Sequence, residues 1–259
     1  NSKLVYPRYK KFILDMISRN KIRIAMWSGP RNISTAMMRS FENREDTFVV
    51  DEPFYAYYLS HSDIDHPGKE EVLKSQSTDW DEVVKLINGD IPDNKFIWYQ
   101  KHMVHHIAND KDIDWLKNFH NCFLIRHPKE VIISYAKQKP INGIMDLGFI
   151  QQVDLFKKIK RLIGKDPFVF DAKDILISPE KYLKKMCEYF NINFSSKMLK
   201  WPKGERITDG VWSPYWYKNV INSNSFFHYK NSKEQIPSEY RHMLSECLSY
   251  YDYLRSFKK

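Results

Sequence analysis

The sequence contains no long apolar run and only three cysteines. No run approaches the roughly 18 apolar residues of a membrane-spanning helix, and residues 1–20 carry charges throughout, without the apolar core of a signal peptide. Cys122, Cys187 and Cys247 are too few and too far apart for a disulfide frame or a CxxC metal site. We therefore expect a soluble protein of a reducing compartment, the cytoplasm, with no membrane partner.

Internal repeats of 20–50 residues and low-complexity segments are also missing. The net charge is +9, from 41 Lys and Arg against 32 Asp and Glu in 259 residues, and such a balance suits an anionic partner. The excess is mostly lysine, scattered along the chain, and no block resembles a nucleic-acid-binding module. We therefore expect no nucleic-acid partner, and the sequence leaves the oligomeric state open.

Short apolar stretches, rich in β-branched and aromatic residues, alternate with segments of helical periodicity. This alternation predicts a three-layer α/β/α fold with a central, mainly parallel sheet, formed by a single domain over residues 1–259 with an N-terminal extension at 1–20. Residues 191–231 are less periodic and predict a loop-rich segment, which in a compact domain tends to be functional. The predicted strands are 21–27, 47–50, 96–100, 122–125 and 168–170, and the predicted helices are 34–42, 79–87, 112–118, 129–138, 151–163, 179–190 and 238–255.

The first predicted strand ends in a turn typical of phosphate-binding sites, in the sequence SGPRNISTA. A turn followed by a helix that opens on Ser34 and Thr35 places free backbone N–H groups and the positive end of the helix dipole at one point. Arg31 adds a guanidinium that can bind two oxygens at once. The stretch lacks the second Gly and the Lys of the ATP-binding loop G-x-x-x-x-G-K-[ST], so phosphoryl transfer from ATP is disfavoured. The alternative is an ordinary capped turn.

A second candidate anion site follows the fourth predicted strand, in the sequence RHPKEVIISY. Arg126 lies at the carboxyl end of the strand, Pro128 suits the first turn of a helix, and Ser134 lies about two turns into that helix. A phosphate can be held between the guanidinium and the hydroxyl. Because ligands of parallel α/β folds bind beyond the carboxyl ends of the strands, the two turns together predict a ligand with two separated anionic groups.

These two stretches resemble the nucleotide-binding motifs of sulfotransferases that use 3′-phosphoadenosine 5′-phosphosulfate (PAPS). The first is similar to their 5′-phosphosulfate loop, P-K-S-G-T-T or P-R-S-G-S-T, and the second matches their 3′-phosphate motif, R-x-P-x-x-x-x-x-S-Y. The resemblance implies a P-loop NTPase-like sulfotransferase fold, PAPS as donor, adenosine 3′,5′-bisphosphate (PAP) as product, no metal, and a segment 191–231 that covers donor or acceptor. The residues that it implies for the 5′-phosphosulfate are Arg31, Asn32, Ile33, Ser34 and Thr35, and those for the 3′-phosphate are Arg126 and Ser134.

Two positions depart from the family pattern. Ile33 replaces the usual Gly of the loop, so the backbone conformation of this loop can differ from that of the family. Ala36 stands where the cytosolic branch often has a Trp that stacks on adenine. We therefore expect the purine on another aromatic side chain, in residues 201–217.

Two residues after strands are candidates for the base that accepts the acceptor's proton. Glu52 lies where the tyrosylprotein and trehalose sulfotransferases, which this stretch resembles, have their catalytic Glu. The Lys101-His102 pair resembles the K-x-H of cytosolic sulfotransferases, one residue out of register; His102 could also orient substrate or pair with Glu52, and Lys101 could bind the leaving sulfonate. The sequence favours Glu52. The predicted catalytic residues are Glu52, Arg31 and His102, and the predicted substrate-binding residues are Glu52, Phe54, Tyr55, Lys101 and His102.

The predicted function is metal-independent, in-line transfer of a sulfuryl group from PAPS to a hydroxyl or amine of a small-molecule acceptor. The HSDIDH stretch, in which His61 and His66 bracket Asp63 and Asp65, could bind a cation, but it has the character of a polar, exposed loop. Two alternatives remain: a P-loop kinase-like phosphotransferase, and a catalytically inactive module that binds a nucleotide bisphosphate.

Overall fold

The computed structural model describes residues 21–64, 66–231 and 233–258, so the predicted extension at 1–20 and Asp65 lie outside the described residues. The described part forms a five-stranded parallel sheet with strand order β2-β3-β1-β4-β5. The strands are β1 (Ile22–Ser28), β2 (Thr47–Asp51), β3 (Ile97–Met103), β4 (His120–Ile125) and β5 (Phe168–Asp171).

Eleven α-helices connect and cover these strands in the described residues, together with single turns of 3-10 helix. The helices are α1 (Ser34–Glu42), α2 (Tyr55–Ser60), α3 (Lys69–Ser75), α4 (Trp80–Asn88), α5 (Pro128–Ala136), α6 (Phe149–Ile163), α7 (Ala172–Ile177), α8 (Pro179–Tyr189), α9 (Ser213–Trp216), α10 (Lys218–Ile221) and α11 (His242–Arg255). The 3-10 turns are Pro92–Asn94, Val104–His106, Asp114–Asn118, Ile144–Leu147, Ser196–Leu199 and Ser238–Tyr240.

Helices pack on both faces of the sheet, which confirms the predicted three-layer α/β/α fold. Side chains alternate between the two faces along each strand, so Ile24 and Met26 of β1 face one layer and Ala25 and Trp27 face the other. Helices α1, α7 and α8 supply apolar side chains to the first layer, and α5, α6 and α11 supply them to the second. Within the described residues, no helix combines the length and apolar character that crossing a membrane would require.

The structure contains five helices that the sequence did not predict, α2, α3, α7, α9 and α10, and two predicted elements near the site also differ from the observed ones. Residues 112–118 form only the 3-10 turn Asp114–Asn118, because the Asp112 side chain accepts a hydrogen bond from the backbone N–H of Asp114 and favours a turn over an α-helix. Strand β3 extends to Met103 instead of ending at residue 100, because β1 and β2 supply pairing partners for Lys101 on both sides.

The strand order opens a crevice beyond β1 and β4. The chain leaves β1 towards β2 at one edge of the sheet, and it leaves β4 towards β5 at the other edge. Diverging connections of this kind form a ligand-binding crevice at the carboxyl ends of the two strands. Residues 29–33 follow β1 and residues 126–127 follow β4, so the fold places the two predicted anion-binding stretches side by side.

Candidate active site

The loop after β1 is held against β4 and leaves the start of α1 uncapped. Asn32 Nδ2 donates to the carbonyl oxygen of Leu124 at 2.8 Å, and Asn32 Oδ1 accepts from the N–H of Ile33 at 3.2 Å. Among the residues that the structure describes, no side chain caps the helix at Ile33, and Ser34 and Thr35 occupy its first turn. The backbone N–H groups of that turn therefore remain available to an anion.

The replacement of Gly by Ile33 is accommodated without strain. Ile33 has φ −86° and ψ 24°, a conformation open to any residue, and its side chain is buried in the core. The left-handed conformation in this loop belongs to Arg31, with φ 57°. The turn thus keeps its tight geometry although Ile33 stands where the family motif has glycine.

Arg31 and Glu52 both have strained backbones. Glu52 has φ 42°, and positive φ is uncommon for a residue that is neither Gly nor Asn or Asp. The other described non-glycine residues with positive φ are Asp93, Asn94 and Asn191, whose side chains tolerate this conformation. Backbone strain of this kind clusters at functional sites, and here it falls on two residues predicted to be catalytic.

Arg31, Arg126 and Ser134 line one cavity of about 260 Å³. Arg31 Nε donates to Ser134 Oγ at 3.1 Å, and Arg126 Nη1 donates to the carbonyl oxygen of Arg31 at 2.6 Å. Burial, followed by repulsion from Arg126, lowers the pKa of Arg31. Two like charges that share a half-buried cavity repel one another, and a bound anion would relieve that repulsion.

The segment 191–231 also contributes to this cavity, although at positions that the sequence did not single out. Phe227, which is 57% exposed, and Tyr229 line it, and the Tyr229 hydroxyl donates to Glu130 Oε1 at 2.7 Å. Trp201 and Trp212, from the stretch expected to hold the purine, are buried in the core. The cavity therefore takes its aromatic side chains from residues 227 and 229 and not from 201–217.

A buried lysine links the ends of β2 and β3. Lys101 Nζ donates to Asp51 Oδ1 at 2.8 Å, to Tyr217 Oη at 2.8 Å, and to Glu52 Oε1. A lysine ammonium has three N–H donors, and these partners occupy all three. In this arrangement Lys101 has no donor left for a leaving sulfonate, and its contact with Glu52 makes it a partner of the candidate base.

Tyr217 completes the hydrogen bonding around the buried carboxylates. Its hydroxyl donates to Asp51 Oδ2 at 2.6 Å and accepts from Trp212 Nε1 at 3.0 Å. The backbone N–H of Gly210 also donates to Asp51 Oδ2, at 3.2 Å. The stretch 210–217 thus lies over the carboxylates. The only sequence signal for this role is an aromatic-rich run.

Glu52 is placed so that its charge changes near neutral pH. It is 7% exposed, and burial raises its pKa to about 7, against the opposing charge of Lys101 and with a further rise from Asp51. Burial alone would lower the pKa of Lys101, but Asp51 and Glu52 hold it well above its usual value. A carboxylate with a pKa near the working pH is suited to general base catalysis.

His102 lies away from Glu52, so the suggested pairing of these two residues is not formed. Adjacent strand residues point to opposite faces, and His102 is therefore on the face opposite Lys101. It is 1% exposed, stacks on Trp27 with ring centroids 4.4 Å apart, and donates from Nε2 to Gln100 Oε1 at 3.1 Å. Burial, followed by the charge of Lys101, lowers its pKa to about 3.

The two predicted aromatic contacts of the acceptor have different surroundings. Phe54 is buried in an apolar cluster and packs on Trp80, with ring centroids 4.4 Å apart. Tyr55 stacks on His106 at 4.4 Å and forms a hydrogen bond with His66. Of these two residues, Tyr55 therefore contacts a neighbour of Glu52, since His106 Nε2 lies 3.8 Å from Glu52 Oε2.

The HSDIDH stretch forms no cation site in the described residues. His66 is bonded to Tyr55 and accepts from Trp216 Nε1 at 3.1 Å, and the His61 ring lies beside Tyr57. The part of the chain that the structure describes contains no group of three or more His, Cys, Asp or Glu residues that could hold a metal ion.

Comparisons with known proteins agree with this architecture. A family model described as a sulfotransferase domain matches residues 22–257. Among solved structures, the sulfotransferase domain from the curacin biosynthetic pathway has a TM-score of 0.52 at 16% identity, covering 90% of this chain and 99% of that one. Mouse sulfotransferase SULT7A1 complexed with PAP has a TM-score of 0.50 at 12% identity, covering 95% of this chain and 92% of that one.

Two curated relatives come from Arabidopsis thaliana. They are named Branched-chain-amino-acid aminotransferase-like proteins 1 and 2, and they are 34% and 32% identical to this chain over 237 residues. The match covers 91% of this chain and 42% of each relative. The chain thus spans about two fifths of the length of the curated relatives that it matches.

Proposed function

Because this chain belongs to the sulfotransferase domain family, we propose that it transfers a sulfuryl group from PAPS to a hydroxyl or amine of a small-molecule acceptor. The observation that carries the proposal is the shared cavity of Arg31 and Arg126 at the tips of β1 and β4. A ligand with two anionic groups fits two guanidinium groups and an uncapped helix start better than a ligand with one. The PAP bound to the mouse neighbour of similar fold supports this choice of donor.

In the proposed complex, the 5′-phosphosulfate binds the loop of residues 31–35 and the 3′-phosphate binds Arg126 and Ser134. Negative charge develops on the oxygen that bridges sulfur and phosphorus as the bond breaks. Arg31 and the free N–H groups at the start of α1 stabilise this charge electrostatically. The sulfuryl group carries less charge than a phosphoryl group, so this donor set suffices for the transfer.

Glu52 is the proposed base. It follows β2, which is separated from β1 by β3, so at the usual strand spacing it lies roughly 10 Å from the phosphosulfate loop along the sheet edge. An acceptor between them would face the sulfur on one side and the carboxylate on the other. Glu52 takes the acceptor's proton as the oxygen or nitrogen attacks.

Ligand-dependent melting tests the donor assignment. We expect PAP, at 100 times its dissociation constant, to stabilise the protein by about 2.7 kcal/mol. Arg126→Ala removes a charge-assisted contact and should weaken PAP binding about 10- to 100-fold. Differential scanning fluorimetry and isothermal titration calorimetry measure both effects. Arg255→Ala is the matched control, because Arg255 is exposed near the end of α11, away from the cavity.

Ligand-dependent melting, together with a screen of acceptors, also distinguishes the proposed sulfotransferase from the two alternative functions. Stabilisation by ATP with Mg²⁺ but not by PAP would favour a kinase-like phosphotransferase and contradict the proposal. Stabilisation by PAP without turnover of any acceptor in a broad screen with PAPS would favour an inactive module that binds a nucleotide bisphosphate.

The pH dependence of kcat/KM tests the base. Glu52 has a pKa of about 7 and must be deprotonated to act, so kcat/KM should rise with pH to a plateau above 7 and fall about tenfold per unit below it. The profile is measured from pH 5 to 9 with saturating PAPS and a hydroxyl acceptor that does not titrate in this range. A flat profile would instead fit His102, whose pKa is about 3.

A further inference from the structure

His106 lies beside the proposed base, although the sequence assigned it no role. It ends the 3-10 turn Val104–His106 directly after β3, at the same edge of the sheet as Glu52. Its Nε2 is 3.8 Å from Glu52 Oε2, and both side chains are more than nine-tenths buried. The other carboxylate oxygen of Glu52, Oε1, accepts from Lys101.

The ring of His106 is held in place by two tyrosines of α2. It stacks on Tyr55 with ring centroids 4.4 Å apart and an interplanar angle of 22°, and on Tyr58 at 4.9 Å and 29°. These contacts fix the plane of the imidazole while forming no hydrogen bond with it. The direction in which Nε2 points is therefore set by packing.

Nδ1 of His106 is buried and has no hydrogen-bond partner among the described residues. Burial, followed by the charges of His105 and Lys101, lowers the pKa of His106 well below its ordinary value, so the ring is neutral and one nitrogen carries the hydrogen. An unpaired buried N–H is rarer than an unpaired acceptor. The hydrogen therefore belongs on Nε2, where it points towards a carboxylate, and Nδ1 keeps its lone pair.

The distance of 3.8 Å between Glu52 Oε2 and His106 Nε2 is too long for a hydrogen bond. It is suitable for two groups that both bind a third atom. An atom about 2.8 Å from each, a normal hydrogen-bond length, can lie between Glu52 Oε2 and His106 Nε2. That atom must donate a hydrogen to the carboxylate and accept one from the imidazole. A hydroxyl does both, whereas an ammonium group has no lone pair to offer.

We infer that the acceptor's nucleophile is a hydroxyl, bound between Glu52 Oε2 and the N–H of His106 Nε2, so that His106 selects alcohols over protonated amines. The inference rests on the proposed function and deepens it by naming the acceptor class. The hydroxyl oxygen attacks sulfur and forms an S–O bond, and the bond from sulfur to the bridging oxygen breaks with its electron pair remaining on the 5′-phosphate. The hydroxyl proton moves to Glu52 Oε2. The products are a sulfate ester and PAP.

The selection of alcohols over amines is tested with pairs of acceptors that differ only in the reacting group. The wild-type protein is assayed with PAPS and with alcohols and amines of the same carbon skeleton, such as 2-phenylethanol with 2-phenylethylamine and 1-hexanol with hexylamine. At pH 7.5 we expect kcat/KM to favour the alcohol of each pair that reacts by at least about tenfold, the effect of one unsatisfied buried polar group. A preference for the amines would overturn the inference.

Two substitutions separate acceptor binding from a merely structural role. His106→Phe keeps a ring between the tyrosines but has no N–H, and it should lower kcat/KM for alcohols about 10- to 100-fold and reduce the preference for alcohols over amines. His106→Gln keeps an N–H donor and should restore most of the activity. PAP affinity and melting temperature should stay near the wild-type values in both. An unchanged alcohol preference in His106→Phe would contradict the inference.

A spectroscopic readout does not depend on finding a good acceptor. Long-range ¹H–¹⁵N correlation spectra of the PAP-bound protein, with the His106 signals assigned from the His106→Gln variant, report which ring nitrogen carries the hydrogen. We expect the Nε2–H tautomer. The Nδ1–H tautomer would overturn this inference while leaving the proposed function intact, whereas a failure of PAP to bind would remove the proposed function itself.

Discussion

Glu52→Gln should reduce turnover about 10²- to 10⁴-fold, the usual contribution of a positioned general base. Gln has nearly the shape of Glu but cannot take the acceptor's proton. The cavity of Arg31, Arg126 and Ser134 is separate from Glu52, so PAP binding should be nearly unchanged. The measurements are single-turnover rates with PAPS and a reactive acceptor, and PAP affinity by calorimetry.

Glu45→Gln is the matched control for this substitution. Glu45 precedes the same strand β2 at its opposite end, is exposed, and pairs with Lys197 at the surface, so its replacement should leave turnover unchanged. If Glu52→Gln retains turnover close to the wild-type rate, the carboxylate is not the base. The assignment would then pass to His102, which would have to leave its stacked position on Trp27 to act.

Lys101→Met should lower the free energy of unfolding by about 3–5 kcal/mol, since it leaves two buried carboxylates without their cation. Lys101 is 1% exposed, and its ammonium contacts Asp51, Glu52 and Tyr217. For a domain of this size the loss corresponds to roughly 6–20 °C in melting temperature. The free energy of unfolding is measured by urea denaturation at pH 8.

The loss of stability should shrink as the pH falls from 8 to 5. The pKa of Glu52 lies near 7 with Lys101 present, and removing the cation raises the pKa of a buried carboxyl further. In the variant, protonation of Glu52 at lower pH therefore removes its unpaired charge. Lys117→Met is the control, since Lys117 forms an exposed ion pair with Asp114 and such pairs contribute about 0–1 kcal/mol. Equal effects of the two substitutions would show that the buried cluster does not stabilise the fold.

The anion-binding stretches could be predicted because each is encoded by contiguous residues. A strand, a turn and a helix start follow one another within SGPRNISTA, and the helix predicted at 34–42 is observed as Ser34–Glu42. The spacing from Arg126 to Ser134 likewise follows from a single strand and helix. Local periodicity and turn chemistry are sufficient to place such residues at a sheet edge.

The surroundings of Glu52 could not be predicted, because they depend on contacts between distant segments. Tyr217 reaches Lys101 across 116 residues of sequence, and no local pattern specifies that contact. Lys101 and His102 are adjacent in sequence, but the unexpected length of β3 places both within the strand and on opposite faces. Burial, which sets the pKa values of Glu52 and His102, is likewise a property of the packed structure.

The position of β1 in the middle of the sheet has a consequence for biosynthesis. In the described residues this strand pairs only with β3 and β4, with Ile22 opposite Ile97 and Ile24 opposite His120, so these partners leave the ribosome long after it does. At a translation rate of 5–20 residues per second, the apolar IRIAMWS segment waits roughly 5–20 s for its neighbours. Parallel pairing over such sequence separations is slow. The nascent chain should therefore be a client of chaperones that shield exposed strands until β4 has been made.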